Sequence, residues 1–240
     1  MGGRMAEPIS VIGGVASAEG LDSPNGGAHT ASVVLPIGRR ISRGHFYKRT
    51  IDVAFSLILL VLLSPLFAAI AVAVWLSGPG PILYKQHRLA IGQRPFVLYK
   101  FRTMVDGADG RADEVFHLNQ ADGPLFKSRV DPRVTPFGRK LRATFLDELP
   151  QLVNVLKGDM SFVGPRPCLP GEAARMDGDV TFRFSVPQGL TGPWQVSGYH
   201  FLTFEDQLQV EWEYVNRWSL WKDFLILVKT IPLILNRSGI

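Results

Sequence analysis

A chain of 240 residues, 46% of them hydrophobic, is long enough for one good-sized domain with appendages, and this composition excludes a bundle of many membrane helices. The formal net charge of +5 points to an anionic partner: nucleic acid, phospholipid headgroups or a phosphorylated small molecule. One cysteine, Cys168, excludes an intrachain disulfide framework and fits a reducing compartment, and no Cys/His spacing suits zinc.

Residues 1–44 are rich in Gly, Ser and Ala and lack a sustained apolar period, so they read as a disordered tail. A basic string follows: Arg39, Arg40, Arg43, Lys48 and Arg49. It leads into an uncharged apolar run, Val53–Leu76, whose middle carries the pair Ser64-Pro65. As a helix this run would reach roughly 36 Å, enough for a hydrocarbon core of about 30 Å. It starts too far into the chain, and is too long, for a signal peptide.

Three readings of the run compete: a kinked transmembrane span, a buried core helix, and a hairpin that enters one leaflet and returns. Proline removes a helix hydrogen bond and bends the axis, and the Ser64 hydroxyl is placed to satisfy a freed backbone group. Both flanks are basic, with Lys85, Arg88, Arg94 and Lys100 on the far side, so both carry the label of a cytoplasmic end. The hairpin satisfies both facts. From the residues alone, all three readings stay open.

After the turn Ser77–Ile82, the stretch from Leu83 predicts two short strands joined through Gly92. Lys100 and Arg102 alternate with Phe101 on the second of them; taken alone, they read as a solvated face. A polar loop-like segment covers Val105–Val134. Leu149, Leu152, Val153 and Leu156 then have helical spacing, with Gly158 as a stop. Pro150 fits only a first turn, so the helix is expected to begin near Asp147 or Glu148. That would seat two carboxylates at a positive helix end beside Arg139, Lys140 and Arg142, depress their pKa and keep them ionised, as a nucleophile or magnesium ligand requires. The competing reading is a plain N-cap and a first-turn charge. Pro165-Arg166-Pro167 fixes a guanidinium between two residues of locked φ, as a phosphate clamp or as a rigid surface turn. Cys168 beside it reads as packing. At the C-terminal end, Trp218, Trp221 and the apolar Phe224–Leu235 predict an interfacial helix, too short to span.

In order, "KRTIDV", Ser64-Pro65, "YKFRTM", "DPRVTPFGRKLR", "LDELPQLVNVLKGDMSFVGPRP", "GLTGPWQVSG" and "WSLWKD" resemble the monotopic phosphoglycosyl transferases, the bacterial sugar transferase family, over about Lys48–Leu235. The resemblance implies an α/β (α+β) domain on the cytoplasmic face of the bacterial inner membrane. It also implies a re-entrant membrane segment over 45–78, broken at Ser64-Pro65, a catalytic domain over 79–240, and interfacial amphipathic helices. The implied chemistry moves a sugar-1-phosphate from a UDP-sugar, galactose or glucose being expected, to undecaprenyl phosphate. By the same resemblance Asp147 is the nucleophile and Glu148 holds Mg²⁺. Arg142, Arg166, Arg102 and Lys100 bind phosphates, and Pro165 and Pro167 shape the nucleotide-side turn. One departure stands out: Tyr199-His200 follow Ser197-Gly198 where the family commonly has an arginine, which puts donor choice in question. A non-catalytic membrane-surface scaffold is the alternative. A nucleic-acid partner is not expected, since no stacking platform accompanies the basic clusters; a homo-oligomer remains compatible.

Overall fold

The structure, a computed structural model, describes residues 43–120, 128, 130–176, 180–197 and 203–236. The tail expected over 1–44 therefore lies almost wholly outside the described residues, and the Tyr199-His200 departure lies wholly outside them.

Helix α1 (Arg43–Leu62) and helix α2 (Ser64–Leu76) meet at Leu63 with a bend of 63°. The sequence explains the break atom by atom. Pro65 has no N–H to give the carbonyl of Val61 four residues back, and the Ser64 hydroxyl donates to that same oxygen at 2.8 Å. The flanking bonds, Leu63 N to Leu59 O and Phe67 N to Leu63 O, survive at 2.9 Å. The chain bends without leaving the Val61 carbonyl bare. Among the described residues no single helix is long and apolar enough to cross a membrane; the bent pair passes by length and composition together.

The first turns of α1 belong to the domain. Arg49 donates to the carbonyls of Val155 and Leu156, and Lys48 to Val163 O and the Asp223 carboxylate. Asp52 accepts from Phe162 N. Lys48 and Arg49, counted above as flank charges, are thus spent on tertiary contacts. The later part of α1 is different, with Phe55, Ile58, Val61 and Leu62 exposed.

Strands β1 (Leu83–Leu89) and β2 (Pro95–Phe101) form the expected antiparallel hairpin, in register from Leu83 opposite Phe101 to Leu89 opposite Pro95. Gly92 turns the chain with φ +65°, a value that favours glycine. Short 3₁₀ turns and helix α3 (Ala112–Val115) occupy part of the segment read as a loop. Helix α4 (Pro136–Ala143) starts on a Thr135 side-chain cap to Gly138 N. Gly138 lies so close to the end of the hairpin that a Cβ would collide with the Thr103 carbonyl.

Helix α5 (Gln151–Lys157) is followed by strand β3 (Ser161–Val163), helix α6 (Pro170–Ala173) and strand β4 (Gly189–Thr191), which pairs in parallel with β3. Helices α7 (Pro193–Val196), α8 (Phe204–Asn216) and α9 (Leu220–Leu235) complete the described chain. The architecture is mixed α and β, with two two-stranded sheets among many helices. Small apolar cores join these pieces. Ile70 and Val74 of α2 pack with Phe101 and Leu141, and Val163 packs with Tyr214, Val215 and Ile226. The outer face of α9 buries little: Trp221, Phe224, Val228 and Ile231 are exposed.

Candidate active site

Asp147 and Glu148 sit in a 3₁₀ turn, Leu146–Glu148, and not at the start of the regular helix, which begins at Gln151 behind Pro150. The expected helix-end seat is therefore corrected. Proline fits the entry to α5, and the sequence before it takes the tighter turn. What aims this turn is Phe145, a non-glycine residue held at φ +57°, a left-handed conformation that costs roughly 1–2 kcal/mol.

The two carboxylates differ electrostatically. Glu148 Oε1 receives Lys100 Nζ at 2.6 Å and faces Arg166 Nη1 at 3.8 Å. Burial alone would raise its pKa, but Lys100, Arg166 and Arg88 outweigh it and hold the group at about 2. Asp147 is only 6% exposed. Burial pushes its pKa above the ordinary 3.8, adjacent Glu148 adds to the rise, and Lys100 and Arg142 offset only part of it. The expectation that both groups would be unusually acidic holds for Glu148 and fails for Asp147, because desolvation overrides the nearby cations.

The cations divide too. Arg142 donates from Nε to Thr103 Oγ1 at 2.9 Å, and burial lowers its pKa against the pull of Asp147. Lys100 and Arg166 face Glu148 directly. Arg102 does not join them as a free cation. Its guanidinium donates to the carbonyls of Pro81, Val74 and Gly78 and so closes the C-terminal end of α2, which corrects its reading as a phosphate ligand. Ser64 and Pro65 sit at the bend between α1 and α2.

The Pro165-Arg166-Pro167 turn is fixed from three directions, since each of its carbonyls accepts a bond. Pro165 O takes Gly189 N, Arg166 O takes Arg183 Nη2, and Pro167 O takes Arg88 Nη1. Arg88 and Arg183 are the residues that sequence reasoning missed. Arg88, a flank charge by sequence, lies largely buried beside Arg166, and loss of hydration followed by that like charge lowers its pKa. Arg183 pairs with Glu211 at 2.5 Å, the two being 1% and 0% exposed. The alternation Gln86-His87-Arg88 on a strand was the signal available for Arg88. Nothing local marked Arg183. Cys168 packs in a core with Leu89, Met176 and Phe184, as read.

These groups line a cavity of 1330 Å³. Lys100, Arg142, Asp147, Glu148 and Arg166 lie on its wall, and so do Leu59 of α1, Leu63 at the bend, and Leu227, Ile231 and Ile234 of α9. One space thus has both a charged lining and an aliphatic lining drawn from the two exposed apolar elements. Among the described residues no group of three or more His, Cys, Asp or Glu could hold a metal. Asp147 and Glu148 suit only an ion that takes one or two protein carboxylates and completes its shell with water and substrate oxygens.

The profile of the bacterial sugar transferases matches residues 43–237. The chain belongs to the bacterial sugar transferase family. Among relatives of this bacterial sugar transferase, the undecaprenyl-phosphate galactose phosphotransferase of Salmonella typhimurium is 40% identical over 211 residues, covering 85% of this chain and 43% of the relative. The exopolysaccharide production protein ExoY of Rhizobium meliloti is 38% identical over 200 residues, 82% of this chain and 88% of the relative. The UDP-glucose:undecaprenyl-phosphate glucose-1-phosphate transferase of Caulobacter vibrioides is 39% identical over 203 residues, 80% and 71% respectively. The chain thus spans less than half the length of the Salmonella protein.

Proposed function

We propose that this sugar transferase moves a sugar-1-phosphate from a UDP-sugar to undecaprenyl phosphate, at the cytoplasmic face of the bacterial inner membrane, as a step of exopolysaccharide synthesis. The observation that carries the reading is the two-natured cavity, in which paired carboxylates and cations share a wall with aliphatic side chains of α1 and α9. A phosphate joined to a polyprenyl chain has the same two natures. Relatives named for undecaprenyl-phosphate galactose and glucose transfer support the substrate class, with UDP-galactose or UDP-glucose as donor.

In this reading a carboxylate oxygen of Asp147 attacks the phosphorus that bears the sugar. The bond from that phosphorus to the oxygen bridging it to the uridine phosphate breaks, UMP leaves with the electron pair, and a phosphosugar-aspartyl intermediate forms. An oxygen of undecaprenyl phosphate then attacks the same phosphorus and displaces the carboxylate. The product is a lipid diphosphate sugar, and Asp147 is restored. The raised pKa of Asp147 favours this role, since a more basic carboxylate is the better nucleophile once deprotonated. Lys100 and Arg166 serve the diphosphate, Arg142 steadies Asp147, and Arg88 holds the turn that presents Arg166.

Glu148 Oε2 makes no hydrogen bond among the described residues, and the group stays ionised, so it fits a Mg²⁺ ligand. Bound there, Mg²⁺ would neutralise charge on the diphosphate and on the departing UMP. The bend at Ser64-Pro65 supports a re-entrant α1–α2, and the exposed aromatic and aliphatic face of α9 supports an interfacial helix, a large apolar surface being the mark of lipid or protein contact.

The test is UMP release and lipid-linked sugar formation by purified protein, given a UDP-sugar, undecaprenyl phosphate and Mg²⁺. Asp147→Ala should abolish both while membrane binding persists. Full activity in that variant would refute the assigned nucleophile. Binding of the UDP-sugar by the parent without any lipid product would favour the scaffold reading.

A further inference from the structure

Gln195, in the four-residue helix α7, lines the same cavity as the carboxylates, next to the indole of Trp194. Its amide is an anomaly. Both Nε2 and Oε1 are shut off from solvent, and neither hydrogen-bonds to anything among the described residues. The surroundings are tight: a Cβ on Gly192 would collide with the Gly164 carbonyl and fall 2.9 Å from Gln195 Oε1. A buried polar group without partners destabilises a fold, whereas an apolar side chain of the same shape would not. An unmatched donor and acceptor bordering a cavity are a liability in the empty protein that a ligand entering the cavity can remove.

We propose that Gln195 is a specificity-determining residue whose amide pairs with the imide edge of the donor's uracil. A primary amide offers one donor and one acceptor side by side in a plane. The imide edge of uracil, an N3–H beside a carbonyl, presents the complementary acceptor and donor at matching spacing. Trp194 adds an aromatic wall against which a flat ring can rest. Lys100 and Arg166, on the same cavity, serve the phosphates and carry no information about the base. This proposal rests on the donor being a uridine nucleotide, as argued above.

The experiment measures UMP affinity and ligand-free melting temperature for the full chain and for Gln195→Met, with Gln195→Leu as a second apolar replacement. UMP carries the base and one phosphate but no sugar. Losing the amide contacts should weaken UMP binding about tenfold. At the same time the ligand-free variant should melt at or above the parent, because the orphaned amide is gone. A merely structural glutamine would give the opposite melting shift. Parent-like UMP affinity in both variants overturns the proposal, even if UDP-sugar binding weakens, since the amide would then belong to the sugar. So does a lower melting temperature in both. If the parent itself fails to bind UMP, the uridine donor falls and this proposal with it; if the parent binds and the variants match it, only the role of Gln195 falls.

Discussion

Replacing Arg183 with Met isolates a contact that joins stability to the site. Arg183 and Glu211 form a nearly inaccessible ion pair at 2.5 Å, with a second guanidinium contact at 3.2 Å and a further bond from Gln207 to Glu211 at 3.3 Å. Removing the arginine leaves a carboxylate in the core without its cation, which costs about 3–5 kcal/mol. A domain of this size loses roughly 2–4 °C of melting temperature per kcal/mol, so the variant should melt about 6–20 °C lower by thermal denaturation in detergent. Converting Glu211→Leu in the same chain removes the stranded charge and should recover most of that loss. The double variant still lacks the Arg183 bond to Arg166 O, so the turn before Cys168 stays looser and transfer activity stays below the parent's even though stability returns. A single variant that melts within about 2 °C of the parent would refute the reasoning.

The bend at Ser64 should show a sign-dependent coupling. Ser64→Ala takes the hydroxyl from the Val61 carbonyl and should cost about 0.5–1.5 kcal/mol, yet in a Pro65→Ala background the restored N–H takes that carbonyl and the cost should nearly vanish. Equal melting shifts in the two backgrounds would show that the hydroxyl plays no such part. The pH dependence follows from the paired carboxylates. Glu148, lowered from 4.5 to about 2, stabilises the fold fully above about pH 4.5, and that contribution is lost as pH falls toward 2. Asp147 is raised, so its ionisation weakens the fold as pH climbs through and beyond 3.8, and transfer that needs it deprotonated should have an acid limb centred above 3.8. A limb at or below that value in the rate of UMP release would contradict the burial argument.

Much of this protein is legible residue by residue. Gly92 announced the hairpin, Gly158 the end of α5, and Ser64-Pro65 the break, because each acts through bonds or dihedrals within a few positions of itself. Asp147, Glu148, Lys100, Arg142 and Arg166 were picked out by motif, and the fold brings all five to one cavity. Arg102 was picked out by the same motif and proved to be spent on the end of α2. Its alternation on a strand says which face it takes, not which carbonyls wait there.

Residue order alone therefore carries local and familial information: the bent apolar pair, the strand pair, the adjacency of two carboxylates, and membership in the bacterial sugar transferases. How those carboxylates differ is a property of the folded chain. Glu148 meets Lys100 from 48 positions away, whereas Asp147 is buried with less compensation, and the charge state of each is set by distances and lost hydration that no local spacing encodes. The supports of the Arg166 turn follow the same rule. Arg88 reaches Pro167 across 79 positions, and Arg183 finds Glu211 across 28, through packing that brings remote segments together.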